Sequence, residues 1–176
     1  MFGKSKKKSQ KQLDELCYEV DIFIQVHFVR EHGNERYKFN TLILKDDPKR
    51  QELQELLTQN NNPESFSDLC ILFLQKSGKD ESSICDKAHL DRGYFSNIRN
   101  SDSFLPSKSE AVALCLAMKL NIEEARLLLK SAGHGLSNSE KADLTVRYFI
   151  ENDLHNIDEL NYVLEKLCDT VLEKIS

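Results

Sequence analysis

Apolar positions recur at helical spacing through most of the chain, broken by short polar stretches. Leu13, Leu16, Cys17, Val20, Phe23, Ile24 and Phe28 fall on one helix face. The same stretch also alternates, in Tyr18, Val20, Ile22, Ile24, Val26 and Phe28. With a turn at Glu31-His32-Gly33-Asn34 and Tyr37, Phe39, Thr41 and Ile43 beyond it, a β-hairpin is the competing reading. Leu13-Asp14-Glu15-Leu16 tips the balance to a helix over 12–30, with 37–44 extended. Asp47-Pro48 reads as the start of a further helix through Leu53, Leu56 and Leu57. Asn60-Asn61-Asn62-Pro63 is a polar breaker and the expected domain boundary.

Beyond that breaker, helix-start signals follow one another closely. Ser65 and Asp68 open a helix that stops at Ser77-Gly78. Asp80 caps a second and Asp91 a third. Ser107 with Glu110, Asn121 with Glu124, Ser137 with Glu140 and Asn156 with Glu159 open four more. A capping side chain followed three residues on by Glu satisfies free backbone donors at a helix start. The expected fold is all-α, a multi-helix bundle with a small N-terminal extension. Its divisions are a disordered basic tail over 1–11, a helical or hairpin extension over 12–62 and a helical domain over 63–176.

Charge changes the picture locally. The chain has 24 Lys and Arg against 29 Asp and Glu, net −5, and the acidic excess lies in 109–176. A chain-wide basic field, the footprint of strong non-specific nucleic-acid binding, is absent. Five cysteines, Cys17, Cys70, Cys85, Cys115 and Cys168, sit singly in apolar runs and read as buried reduced thiols. No apolar run is long enough to span a membrane, and no secretory leader is visible, so a cytoplasmic protein is expected. Phosphate-loop, nucleophile-elbow and H-E-x-x-H signatures are missing, so neither catalysis nor a cofactor or metal is expected. His134 between Gly133 and Gly135 reads as part of a helix stop. His27 and His32 do not share a helix face, which argues against a metal pair.

Residues 80–99 carry the most specific constellation. Ile84, Cys85 and Ala88 give one short helix an inner face, and Phe95 and Ile98 do the same for the next. Arg92, Tyr94, Ser96, Asn97 and Arg99 are left on the outer side. That is the pattern of a helix-turn-helix whose second helix offers its outer face to the major groove. Arg forks onto guanine, Asn bonds adenine, and Ser or Tyr reaches bases or phosphates.

The stretch ESSICDKAHLDRGYFSNIRN, followed by LPSKSEAVALCLAMKLN, resembles the phage-repressor helix-turn-helix family. More broadly, residues 66–165 are similar to an uncharacterised bacterial group. Its members share an FS-x-IR…PSK…EA-x-x-LL-x-x-AG…LS-x-S…YFI pattern and occur alone or behind macro or von Willebrand A-type domains. One departure from the repressor pattern is Gly93, which lies inside the expected second helix instead of the turn.

The resemblance implies a DNA-binding transcriptional regulator. Helix 91–100 would be the reader, with Arg92, Tyr94, Ser96, Asn97 and Arg99 on duplex DNA and Lys87 and Lys108 on phosphates. Scattered surface lysines such as Lys76 and Lys79 need no ligand. Helix 156–173, apolar on more than one face, would supply a homodimer contact through Ile157, Leu160, Tyr162 and Leu164. The alternative is a non-enzymatic protein-binding adaptor in a bacterial stress or defence pathway.

Overall fold

The structure is a computed structural model and describes residues 8–28, 48–60, 65–101 and 104–174. Among these are nine α-helices and no strand. They are α1 Gln10–His27, α2 Pro48–Gln59, α3 Phe66–Ser77, α4 Glu81–Ala88, α5 Tyr94–Asn100, α6 Lys108–Met118, α7 Ile122–Ser131, α8 Lys141–Glu151 and α9 Ile157–Cys168. A 3-10 turn, Leu172–Lys174, follows. The all-α expectation holds. No helix is long and apolar enough to cross a membrane.

Most helix starts fall where the capping chemistry puts them. Ser65 accepts from the Asp68 amide and Asp80 from that of Ser83. Reciprocal capping boxes join Ser107 with Glu110 and Asn121 with Glu124. Two starts differ. Asp91 does not cap α5, whose N-cap position is Gly93, with no side-chain bond. The glycine therefore precedes the helix. Ser137 does not cap α8, which begins at Lys141 after Glu140. The Ser137 amide instead donates to Asp143, 2.8 Å away.

At the N-terminus the helical reading prevails over the hairpin through His27, and residues 29 and 30 of the expected span lie outside the described residues. α1 starts earlier, because Ser9 and Gln12 form a capping box that the tail reading of 1–11 overlooked. Lys8, also assigned to that tail, is tied to Glu159 at 2.8 Å. The expected strand 37–44, the Asp47 cap and the breaker 61–63 lie outside the described residues.

One apolar cluster gathers residues from α1 to the 3-10 turn. Its centre is α6, which is buried on every side from Ala111 to Met118. α4 packs chiefly on α6, while α1 lies across α8 and α9. The α1 stripe of Leu16, Val20 and Ile24 is buried there. Each such side chain contributes about 1.5–3 kcal/mol on leaving water. Tyr148 donates to Glu19 at 3.0 Å and Tyr162 to Asp14 at 3.1 Å across the same seam.

This seam corrects the expected dimer helix. Ile157, Leu160 and Leu164 are buried inside the chain, and Tyr162 is partly covered. The apolar breadth of α9 serves two neighbours within the fold, α1 and α8, so it is not an outer contact surface.

Five cysteines are free: Cys70, Cys85 and Cys115 are buried, and Cys17 and Cys168 are partly so. Burial pushes their thiols up, that of Cys70 to about 12, which leaves them protonated at neutral pH. Gly133, in the left-handed region at φ +80°, follows α7, and His134 Nε2 lies 2.9 Å from the Pro106 carbonyl. The helix-stop reading of that triplet agrees with this geometry.

Candidate functional site

α4 and α5 form a pair of short helices joined over residues 89–93. Asp80 fixes the start of α4 and Ile84, Cys85 and Ala88 bury its inner face. The Leu90 amide donates back to the Cys85 carbonyl at 2.9 Å, closing α4 through His89 in the left-handed region. The Tyr94 amide then donates to the Asp91 carbonyl at 2.9 Å and turns the chain into α5. Phe95 and Ile98 anchor α5 in the core.

Two of the expected readers are not on the outer side. Tyr94 is buried, 5% exposed, with its ring edge-on to Phe104 at 5.4 Å. Its hydroxyl has no partner among the described residues, and burial drives its pKa far up. Position 94 is one residue before Phe95, and a helix beginning at 94 turns both toward the core. Lys108 is buried too, 8% exposed, and pairs with Asp143 at 2.9 Å. It is an interior ion pair between α6 and α8, closed to phosphate.

The remaining candidates are exposed. Ser96, Asn97 and Arg99 are exposed on α5, Arg92 is exposed in the connection before it, and Lys87 is exposed on α4. Arg92, Asn97 and Arg99 are all open to solvent, but carboxylates accompany the two arginines. Arg99 is bonded to Glu81, and that guanidinium holds the Glu81 carboxyl below the usual carboxylate range. Arg92 Nε is 3.8 Å from Asp86. Asp80 and Asp91 add further negative charge to the unit, against Lys87 as the remaining cation.

These acids are the residues that reading for DNA contacts passed over. Asp80 and Glu81 read as a helix start, and a helix start they are. Their second effect, neutralising the outer side of the next helix, depends on how α4 and α5 cross. No carboxyl, imidazole or thiol group is placed to hold a metal ion among the described residues.

α1 carries a second exposed surface. Tyr18, Ile22 and Val26, one turn apart, are 69%, 44% and 63% exposed. They face away from the buried Leu16, Val20 and Ile24.

Compared with known protein families, curated proteins and solved structures, the chain matches none.

Proposed function

We propose that the chain is a non-enzymatic protein-binding adaptor, built on a helix-turn-helix scaffold that has been turned from DNA to a protein surface. One observation carries this reading: the two exposed arginines, Arg99 on α5 and Arg92 just before it, already face carboxylates of α4, Arg99 at Glu81 and Arg92 at Asp86. Duplex DNA presents a uniform line of negative charge. A face with as many acids as bases gains little from it, and each acid repels it. A protein surface of alternating charge complements such a face and gains specificity from it.

A duplex titration tests the reading. Pooled random duplexes at ~50 mM and ~200 mM salt are expected to show no retention of the wild-type chain, where a phosphate-contacting protein shows a steep salt slope. Glu81→Gln, which frees Arg99, is expected to raise duplex affinity from that floor. Tight, salt-steep binding by the wild type that Arg99→Ala weakens overturns the adaptor reading and establishes the DNA regulator. That second reading keeps one observation in its favour: Ser96, Asn97 and Arg99 all remain exposed on α5.

A further inference from the structure

The C-terminal ends of α4 and α6 meet the segment between α8 and α9 around an open cavity of about 580 Å³. Lys87, His89 and Lys119 line it from the helix ends, and His155 and Lys8 line it from the other side. The size suits a small-molecule ligand. Positive charge gathers here in a chain whose net charge is −5.

The charges are unlike those on α5. Lys87 and Lys119 have no carboxylate partner among the described residues. Lys8 is held by Glu159, and Asp153, 82% exposed, lies 4.0 Å from His155. Lys79 is beside the group and donates to the Ala117 carbonyl at 2.9 Å. Its ammonium loses its proton more readily than usual, first through burial and then through the nearby charges of Lys87 and Lys119. Carboxylates therefore answer Lys8 and the two histidines, His89 through Asp158 at 3.9 Å, while Lys87 and Lys119 are left without one among the described residues.

The backbone repeats the point. Four non-glycine residues are in the left-handed region, and three of them, His89, Lys119 and Asp153, line this cavity. His89 and Lys119 are helix C-caps, a place where glycine is the easiest residue to fit. A cation at a helix end is favoured by the helix dipole, which is the plainer account of such lysines. Each of these helix ends also has one of its last carbonyls capped by a following backbone amide. The Leu90 and Leu120 amides both donate back at 2.9 Å, to Cys85 and Cys115, and Leu154 donates to Phe149 at 2.8 Å. His155 adds a ring nitrogen, Nδ1, that is buried without a hydrogen-bond partner among the described residues.

We propose that this cavity binds a small phosphorylated metabolite with two or more phosphate charges, gripped by the ammonium groups of Lys87 and Lys119. Lys8 and the two histidines complete the wall, and the α5 face is left to its own partner. The site does not depend on the adaptor reading, and the duplex titration and the experiment below fail separately.

The probe is inorganic pyrophosphate, titrated into the full chain by calorimetry at ~50 mM salt. Saturable binding is expected, with a rise in thermal midpoint as ligand is added. Lys87→Met and Lys119→Gly are each expected to weaken it about tenfold or more, the worth of a charge-assisted hydrogen bond. Lys119→Gly separates ligand loss from fold damage, because glycine fits φ +60° freely. Its Tm without ligand is expected to rise by about 2–4 °C while binding is lost. Lys130→Met, an exposed lysine outside the cavity, is expected to leave binding unchanged. The proposal is overturned if pyrophosphate does not bind. It is equally overturned if Lys130→Met weakens binding as much as Lys119→Gly, or if duplex DNA competes for the same lysines more tightly than pyrophosphate.

Discussion

The outer side of α4–α5 and the cavity at the ends of α4 and α6 are built partly from the same helix, and they treat charge in opposite ways. On the first, arginines are answered by carboxylates from the neighbouring helix. In the second, Lys87 and Lys119 have no carboxylate partner among the described residues, although Glu159 holds Lys8. Basic residues counted along the sequence do not tell these two cases apart. What separates them is whether the fold already supplies the counter-charge, and an ammonium without one is the better indicator of an absent anionic partner.

The buried pair of Lys108 and Asp143 is the extreme of the first case and gives the largest expected effect. Asp143→Ala removes the carboxylate that pairs with the buried Lys108 ammonium and also strands the Ser137 amide. A loss of about 3–5 kcal/mol in chemical denaturation is expected. A loss below about 1 kcal/mol would mean that Lys108 escapes to water, restoring it as a surface cation and weakening the contrast drawn here.

Tyr94→Phe is next. It removes a buried hydroxyl that has no partner among the described residues, and a gain of about 1 kcal/mol is expected from the same measurement. A large loss would show that the hydroxyl does have a partner and that the inner side of α5 is more polar than described.

The smallest effect concerns His155 and acid. Burial, with help from Lys119 and Lys79 and against the pull of Asp153, holds its pKa below the ordinary 6.5. The unfolded chain therefore takes up this proton at a higher pH than the folded chain does. Stability from this residue is full above about pH 6.5 and falls as pH drops from there toward the folded value. Thermal midpoints between pH 7.5 and 5.5 are expected to fall less in His155→Gln than in the wild type. Equal slopes would place the ring in a solvated position and loosen the wall of the cavity.

Much of the fold was legible before any coordinates. Ser107 with Glu110 and Asn121 with Glu124 mark helix starts because capping is local chemistry, settled within four residues. The helix over 12–30 was legible for a similar reason: its polar opening turn does not suit a strand. The site was legible only in outline. Arg92, Asn97 and Arg99 are exposed, as expected. Tyr94 and Lys108 are not outward, because Tyr94 lies four residues before Ile98 and so on its buried side, and an acid 35 positions away in sequence pairs with Lys108 in the core. The dimer reading of α9 failed similarly: its second apolar face is real, but α1, more than 130 residues earlier, covers it.

The sequence by itself determined that this is a helical protein, where most helices start and stop, and which apolar side chains turn inward. These follow from contacts between residues three or four apart, which spacing and capping encode directly. Only the tertiary structure decided which charges are spent inside the molecule and which are left for a partner. That depends on distances between residues far apart in the chain, since a Coulomb interaction is set by separation in space and by access to water, and neither is written in the order of the residues.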